Sequence, residues 1–409
     1  MVRKYKRINR RYFFIALAVL TGLAAILKTG KLKFGKPPIS GVEELEKLDK
    51  FAVDETIPLS DRAAAKGLLY GAFPQASYPE FSQDFPFQSQ FVRECRVFVA
   101  GFYWNWGGVR PTEKTYNFAA TDYFANFAKE NEMLLRGHPL IWYRTTPDWL
   151  IDKFIDPATT SKQIKNILIE HIKTVVTRYA GRIHSWDVVN EAINVADGDP
   201  YGLRDTKISG INDLKCPSWL DFLGIDFIDL AFQTASQADP QAMLVYNEFG
   251  LDYDYPDDEA KRNATLRLLR RLKAQGTPID ALGIQAHLDA SRSDQFSPEK
   301  LRQFLKDVAD LGLKIIISEL DVRDRAIKGD IASRDRAVAQ AYYDYLTVAL
   351  EEPAVIAVTT WGLSDRYSWV QKSPRYDGSP QRPLPLDDQL RRKLAWHAIA
   401  HAFDNAPQR

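Results

Sequence analysis

The chain has 409 residues, of which 45% are hydrophobic and 26% charged, and its formal net charge is +1. This composition is that of an ordinary globular protein. A net charge so close to zero gives no strong field, so it argues against a protein that attracts nucleic acid or an acidic polymer from a distance. The length suits one large α/β barrel with a leader.

The first 36 residues have the pattern of an export leader or a signal anchor. Basic residues crowd the first eleven positions, and an uncharged, mostly apolar run covers residues 12–27. The run is shorter than the roughly 20 residues of a full span. Flanking Lys and Arg can snorkel, however, and the lack of a small-x-small cleavage site before Lys28 favours retention as an anchor over cleavage. Arg10 and Arg11 fit a twin-arginine signal, or a basic n-region by coincidence.

This segment predicts the location of the rest of the chain. The positive-inside rule keeps the N-terminus cytoplasmic and places the body outside, in the periplasm or cell envelope, attached to the membrane through the leader. Residues 37–66, which begin with Pro37 and Pro38, are expected to form a linker. Residues 67–405 are expected to form one catalytic domain, which we expect to be monomeric.

From Gly67 onward, short β-rich runs alternate with helical patterns, such as the one over residues 162–180. Eight such repeats favour a parallel (β/α)8 barrel. An open doubly wound sheet is the rival, but no glycine-rich phosphate loop follows the first strand. The predicted strands are 67–73, 95–103, 133–142, 183–190, 243–248, 281–287, 314–319 and 355–361.

The predicted strands end in carboxylates, amides and Trp residues, and in a barrel the chemistry lies at these carboxyl ends. Glycoside cleavage needs two rigidly held carboxyl groups on opposite sides of the scissile bond. Glu191 ends the fourth strand and Glu319 ends the seventh, and both follow apolar runs. A single Glu in such a place is more often an ion-pair partner, but two of them with polar neighbours favour a catalytic pair.

Six stretches around the predicted strand ends form a pattern in this chain: RGHPLIW (136–142), WDVVNE (186–191), YN (246–247), GIQAHL (283–288), SELD (318–321) and TWGLSDRYSW (360–369). In their order and spacing, and from about residue 67 to residue 400, the sequence resembles glycoside hydrolase family 10, best known for endo-β-1,4-xylanases. The resemblance implies a retaining (β/α)8 enzyme with Glu191 as general acid/base and Glu319 as nucleophile.

The remaining residues of these motifs are expected to support the pair or to bind sugar. Asn190 can bond the sugar 2-OH in an oxocarbenium-like transition state. His287 is expected to bond Glu319 with Asp321 behind it, and Gln285 to orient Glu191 or the sugar. The expected substrate-binding residues are His138, Trp142, Tyr143, Tyr246, Trp361, Trp369, Asn105 and Trp106.

The chain departs from the family where the second and third strands end. The resemblance implies a Glu-Asn pair and a Lys after the second strand, where this chain has Gly101, Phe102 and Asn105, and a His where it has Tyr143. Losing a hydrogen bond to a sugar hydroxyl costs roughly 0.5–1.5 kcal/mol.

Three explanations of these changes remain. The first is that the enzyme cleaves another β-linked glycan, with Phe102, Trp104 and Tyr143 reshaping the subsites. The second is that it cleaves glycosides that need few contacts, such as aryl glycosides. The third is that it is a weak or inactive glycan-binding envelope protein. The retained catalytic set argues against the last.

No metal or organic cofactor is expected for this chemistry, and carbohydrate is the expected partner. The acidic stretch that contains Glu248, Asp252 and Asp258 suggests a cation site or a solvated loop. The solvated loop is the simpler interpretation, because the stretch lacks the EF-hand spacing.

Cys95 and Cys216 lie in no CxxC pair, so a single disulfide and two buried thiols both remain open.

Overall fold

Parallel strands and helices alternate through the part of the chain that the computed structural model describes, residues 50–409. The strands are β1 (Leu69–Ala72), β2 (Val97–Val99), β3 (Leu134–Gly137), β4 (Ser185–Asn190), β5 (Met243–Glu248), β6 (Ala281–Ile284), β7 (His287–Asp289), β8 (Lys314–Arg323) and β9 (Val355–Thr360). Each of the eight predicted strands is present.

The helices lie between and around these strands. They are α1 (Leu59–Ala64), α2 (Tyr78–Gln83), α3 (Phe85–Glu94), α4 (Trp106–Val109), α5 (Ala119–Glu130), α6 (Asp148–Ile155), α7 (Ser161–Arg178), α8 (Thr206–Ser209), α9 (Trp219–Leu223), α10 (Asp226–Ala238), α11 (Pro256–Ala274), α12 (Pro298–Ala309), α13 (Ile331–Ala349) and α14 (Leu394–Asn405). Short 3-10 turns, among them Phe102–Trp104 and Tyr143–Thr145, follow several strand ends.

The sheet closes into a barrel. Each strand from β1 to β6 pairs in parallel with the next, β6 pairs with β8, β8 with β9, and β9 with β1. The short strand β7 pairs with the outer part of β8 and continues the line of β6 after a kink at Ala286, whose φ is +55°. Eight strand positions therefore surround the axis, and the predicted (β/α)8 barrel is confirmed.

Burial on both faces explains why these runs form strands. Every residue of β4 is buried, and β8 is buried from Ile315 to Val322. Strands covered by helices on one side and by the barrel interior on the other are apolar and β-branched, as Ile315, Ile316 and Ile317 illustrate. The helix predicted over residues 162–180 is α7, which begins with a capping box between Thr160 and Gln163.

The folded body begins earlier than the predicted domain boundary at Gly67. It forms one compact unit from Phe51 onward, and Phe51 and Leu59 are buried in the same core as the barrel helices. The Leu59 backbone N–H donates to Glu94 Oε2 at 3.1 Å, which ties α1 to α3. Residues 51–66 thus pack as part of the barrel, because their apolar side chains cover its flank.

The proposed leader, residues 12–27, lies outside the described residues. Within residues 50–409, none of the helices combines the length and apolarity that a membrane span requires.

Candidate active site

Glu191 lies directly after β4 in an unusual backbone conformation. Its φ is +58°, in the left-handed region that non-glycine residues seldom occupy. The Glu191 N–H donates to the carbonyl oxygen of Asn247 on the neighbouring strand at 2.9 Å. A conformation of this kind persists only where the surroundings hold it, and such residues cluster at functional sites. The backbone therefore fixes the direction of this carboxyl group at the barrel mouth.

Glu319, on β8, is buried and receives donors on both carboxylate oxygens. Asn247 Nδ2 donates to Oε1 at 2.7 Å, and His287 Nε2 lies 3.3 Å from Oε2. Only 4% of Glu319 is exposed. Donors on both oxygens fix the orientation of this carboxyl group.

His287 lies between two carboxylates. Its Nδ1 is 2.9 Å from Asp321 Oδ1, and Trp369 Nε1 donates to Asp321 Oδ2 at 2.6 Å. Burial alone would lower the pKa of His287, but the charges and hydrogen bonds of Asp321 and Glu319 outweigh it and raise the pKa to about 10. The imidazolium therefore stays charged at neutral pH and neutralises part of the charge on Glu319.

Glu191 is held by neutral amides. Asn190 Nδ2 and Gln285 Nε2 lie 3.3 and 3.2 Å from Glu191 Oε1, and Gln285 Nε2 is also 3.1 Å from Asn190 Oδ1. Asn247 Nδ2 donates to the same Asn190 oxygen at 2.9 Å. A chain of amides thus connects the two glutamates.

A second set of polar side chains lies beneath the pair, inside the barrel. Asp187 forms an ion pair with Arg136, and its Oδ2 is 2.7 Å from His138 Nδ1. The same His138 nitrogen lies 3.9 Å from Glu319 Oε1. His138 was predicted to bind substrate, but it is only 2% exposed and its Nδ1 is committed to Asp187. In this structure it supports the floor of the site.

Aromatic rings form one wall. Trp361 follows β9, and its ring centroid lies 4.5 Å from that of Phe73 and 5.1 Å from that of His138. Trp369 lies against His287, with ring centroids 5.2 Å apart. Gln75 connects the two tryptophans, because its Nε2 donates to the Trp361 carbonyl and its Oε1 accepts from the Trp369 N–H. Both predicted tryptophans therefore flank the Glu319 side of the site.

A cavity adjoins the other glutamate. Its volume is about 50 Å³, and its lining includes Glu191, Asn190, Tyr143, Arg204, Leu203 and Trp219. Arg204 lies over the Tyr143 ring, with Cζ 4.1 Å from the ring centroid, and its Nε donates to the Glu191 carbonyl at 3.1 Å. Tyr143, predicted to bind substrate, therefore lies on the Glu191 side of the site, and its role in binding stays a prediction; Arg204 was not predicted.

Comparisons with known proteins match this arrangement. The sequence profile of Glycosyl hydrolase family 10 matches residues 58–402. The chain belongs to glycosyl hydrolase family 10. It is therefore a glycoside hydrolase.

Individual relatives agree with the family. Endo-1,4-beta-xylanase B of Thermotoga neapolitana is 32% identical over 312 residues, which cover 76% of this chain and 82% of the relative. Endo-1,4-beta-xylanase A of Phanerodontia chrysosporium is 30% identical over 365 residues, with 87% and 79% covered.

Solved structures of the family superpose on most of the chain. Native xylanase 10B from Thermotoga maritima matches with a TM-score of 0.74 at 28% identity and covers 85% of this chain and 98% of that one. Xylanase 10B from Thermotoga petrophila RKU-1, solved in complex with xylobiose, also has a TM-score of 0.74 at 28% identity, with 86% and 99% covered.

Some residues that the family resemblance suggested as sugar contacts lie in the core. Tyr246 is fully buried, and its hydroxyl donates to Glu248 Oε2 at 2.6 Å. Trp106 is 2% exposed, stacks on His171 with ring centroids 3.6 Å apart, and donates from Nε1 to the Leu140 carbonyl at 2.7 Å. Neither side chain is presented to a substrate in this family 10 barrel.

The residues around the second strand end also differ from expectation. Asn105 is nearly buried, and its Oδ1 accepts from Gly108 N at 2.8 Å as the N-cap of α4. Trp104, expected to reshape a subsite, is buried against Tyr179 and Trp186. The side chain of Phe102 lies outside what the structure describes. Trp142 is half-buried beside Tyr143, with ring centroids 6.3 Å apart.

Phe73 accounts for the glycine at position 101 of this family 10 chain. A Cβ atom at Gly101 would lie 2.3 Å from Cε2 and 2.5 Å from Cζ of the Phe73 ring. The ring therefore occupies the space that a side chain at residue 101 would need. An apolar group formed by Phe73, Val99 and Trp361 stands where the family resemblance implied polar sugar contacts.

The acidic stretch after β5 is structural. Glu248 is fully buried, and its Oε1 is 2.8 Å from Lys261 Nζ. Asp258 Oδ2 accepts from the Tyr253 N–H at 3.0 Å. Burial raises the pKa of Asp252 to about 6, although Tyr345 donates a hydrogen bond to it. In residues 50–409 there is no group of three or more His, Cys, Asp or Glu side chains that could hold a metal ion.

The two cysteines are not paired. Cys95 and Cys216 are both buried free thiols. Of the two possibilities left open by the sequence, the structure therefore has the two thiols.

Proposed function

We propose that this protein is a retaining β-glycosidase in which Glu319 is the nucleophile and Glu191 the general acid/base. The observation that carries the proposal is the difference between the surroundings of the two glutamates. The two oxygens of the Glu319 carboxyl group contact the His287 imidazolium and the Asn247 amide, whereas the Glu191 carboxyl group contacts the amides of Asn190 and Gln285, with Arg204 bound to the Glu191 backbone carbonyl. Two carboxyl groups with such different surroundings can act as nucleophile and as proton donor in one reaction.

The first step forms a glycosyl-enzyme. A Glu319 oxygen attacks the anomeric carbon while the bond from that carbon to the leaving oxygen breaks, and Glu191 gives its proton to that oxygen. In the second step, Glu191 takes a proton from water. The water oxygen attacks the same carbon, the bond to Glu319 breaks, and the sugar leaves with its original anomeric configuration.

The supporting side chains hold this geometry. Asn190, which touches Glu191, is placed to bond a hydroxyl of the reacting sugar, and Asp321 keeps the His287 ring in line with Glu319. Trp361 and Trp369 offer apolar faces for the sugar ring on the nucleophile side. Positioning of this kind lowers the barrier because the reacting groups need no reorganisation.

We further propose β-1,4-linked xylan or a related glycan as the substrate. The support comes from the names of the relatives, which are endo-1,4-beta-xylanases, and from the neighbour solved with xylobiose.

The proposal also includes export, with attachment to the membrane through residues 12–27 and action as a monomer in the cell envelope. Its support is the basic, apolar pattern of the first 36 residues.

The test is hydrolysis of aryl β-glycosides and defined β-1,4-oligosaccharides by the full chain, with Glu191→Gln and Glu319→Gln as controls. Either substitution is expected to reduce kcat by about 10²-fold or more, because each removes a group that takes part in bond cleavage. Glu130→Gln, at an exposed site where α5 ends before β3, at the end of the barrel opposite the strand ends that carry the pair, is the matched control and is expected to keep full activity. Glycan binding without turnover across the panel would instead support a glycan-binding envelope protein.

A further inference from the structure

Arginines without a carboxylate partner lie on both sides of the catalytic pair. Arg204 Cζ is 4.1 Å from the Tyr143 ring centroid, and Arg323 Cζ is 4.9 Å from that of Trp369. Considering residues 50–409 alone, neither guanidinium has a carboxylate oxygen within the 4.0 Å of an ion pair. Both aromatic rings belong to the walls of the site described above.

The position of Arg323 follows from the alternation of side chains along β8. Leu320 and Val322 point into the helix-covered core, so Glu319, Asp321 and Arg323 share the opposite side. At the usual rise of a strand, Arg323 lies roughly 13 Å beyond Glu319 along the same line. It therefore extends the nucleophile wall towards the solvent.

Asp289 lies beside Arg323 in the sheet, as its Cα partner in the pairing of β7 with β8. The Asp289 Oδ1 atom accepts hydrogen bonds from the Ser291 N–H at 2.9 Å and from the Ser291 hydroxyl at 2.6 Å. Within residues 50–409, no ion pair at 4.0 Å or less joins Asp289 to Arg323.

Arg204 occupies the corresponding position on the acid side. Its hydrogen bonds go to the carbonyl oxygens of Glu191 and Ile193, at 3.1 and 3.4 Å, and these neutral acceptors leave the positive charge uncompensated. Arg144 adds a second, exposed guanidinium, with its Cζ 5.2 Å from the Tyr143 ring centroid.

Buried arginines elsewhere in the barrel show the contrast. Arg136 pairs with Asp187, and Arg334 Nε lies 2.7 Å from Asp324 Oδ2. A guanidinium matches a carboxylate with two parallel hydrogen bonds, and it is placed where such recognition is needed. At the barrel mouth, the part of the chain that the structure describes supplies no such carboxylate, and the rings beneath the arginines are those of Tyr143 and Trp369 in the walls of the site.

We propose that the glycan cleaved by this site carries carboxylate groups, as uronic acid units or branches, and that Arg323 binds such a group on the nucleophile side. Arg204, with Arg144, binds one on the acid side. This inference rests on the proposed glycosidase function and specifies its substrate class. The net charge of +1 gives no attraction at long range, so the recognition acts only at contact.

The test separates binding from turnover. Three oligosaccharides of equal backbone length are compared: a neutral β-1,4-xylo-oligosaccharide, its uronic-acid-substituted form, and that form with the carboxyl group chemically reduced to an alcohol. Binding is measured by calorimetry on the full chain carrying Glu319→Gln, and kcat/KM on the full chain without it. We expect the acidic form to bind about tenfold or more tightly than the reduced form, with an advantage that shrinks as salt is raised.

Variants assign the effect to Arg323. Arg323→Gln is expected to remove most of the preference for the carboxylate, and Arg323→Lys to restore part of it. The control is Arg302→Gln on α12, an exposed arginine paired with Glu351, which is expected to keep the preference unchanged. Thermal melting of each variant verifies that it is folded.

Equal binding of the acidic and reduced forms would overturn the inference, as would a preference that survives Arg323→Gln. Tighter binding of a sulfated oligosaccharide than of the uronic-acid form would overturn the assignment to carboxylate. Hydrolysis of the neutral oligosaccharide that is lost in Glu319→Gln supports the glycosidase independently. The two proposals therefore fail on different measurements.

Discussion

Asn247 Nδ2 donates a hydrogen bond to Glu319 Oε1 at 2.7 Å, and the same nitrogen donates to Asn190 Oδ1 at 2.9 Å. The Asn247 amide is itself oriented by Ser318, whose hydroxyl donates to Asn247 Oδ1 at 2.6 Å. One buried, uncharged side chain thus fixes the nucleophile and the residue that precedes the acid. Because an amide does not titrate in the working range of the enzyme, this connection is independent of pH.

Gly283→Ala is expected to damage this connection. A Cβ atom at Gly283 would lie 2.1 Å from Asn247 Oδ1, so the amide must move and the backbone must shift. Overpacking of this kind costs about 1–3 kcal/mol, and we expect a lower melting temperature together with a reduced kcat. In Gly107→Ala the new Cβ would have its nearest contacts at 3.6 Å, so this control is expected to leave both unchanged. Full activity of Gly283→Ala would contradict the role given to Asn247.

Phe73 and Gly101 are expected to be energetically coupled. Gly101→Ala places a methyl group too close to the atoms of the Phe73 ring, and Phe73→Ala removes that ring. The double substitution is therefore expected to be less destabilised than the two single changes predict together, by about 1 kcal/mol or more. Urea denaturation of the four proteins gives this coupling energy. Additive effects would mean that the ring does not fill the space of a side chain at residue 101.

The pKa of His287 predicts how stability depends on pH. Burial lowers this pKa, but Asp321 and Glu319 raise it more, to about 10 from an ordinary value of 6.5. The folded state therefore holds this proton more tightly than the unfolded state. The stabilisation is fully present below pH 6.5 and is lost as the pH rises to about 10.

Comparison with His287→Gln isolates this contribution. The difference in the free energy of unfolding between the original chain and the variant is expected to be largest near pH 6 and to shrink steadily towards pH 10. Urea denaturation at a series of pH values measures it. A difference that stays constant over this range would show that His287 is not held as an imidazolium.

Trp369→Phe keeps an aromatic wall but removes the N–H that donates to Asp321. Loss of one such hydrogen bond to a charged group is worth about 1.5–3 kcal/mol, so kcat is expected to fall about tenfold or more because the His287 ring is less well oriented. Trp149→Phe removes the hydrogen bond of Trp149 Nε1 to the Arg110 carbonyl, a bond that involves neither Asp321 nor His287, and serves as the matched control. A change in KM with kcat unchanged would contradict an effect through His287.

The strand–helix pattern and the strand-end positions of Glu191 and Glu319 could be predicted because they depend on local signals. Runs of β-branched residues such as those in β8, and a Glu at the end of an apolar strand, are visible without knowledge of the partners. The compact body starts at Phe51, before the predicted domain boundary, because the packing of Leu59 against Glu94 joins residues 35 positions apart. That contact has no signature in the local sequence.

The roles of individual aromatic and polar residues were harder to predict. Tyr246 lies next to Asn247 but faces the core, because neighbouring side chains along a strand point to opposite sides. Trp106 faces the core because it lies in the short helix α4, whose direction the strand pattern does not predict. Asn247 was visible at the end of the fifth strand, yet its role depends on Ser318 and Gly283 from other strands. Arg204 carried no sequence signal, because its position is set by the loop after β4.

The most direct test of the account is to trap the glycosyl-enzyme with a 2-deoxy-2-fluoro β-glycoside that carries a good leaving group. The fluorine slows the second step, so an adduct accumulates and can be located by peptide mass spectrometry. The account predicts a single adduct on Glu319 in the original chain and none in Glu319→Gln. An adduct on another residue, or turnover of the parent glycoside in Glu319→Gln at the original rate, would contradict it.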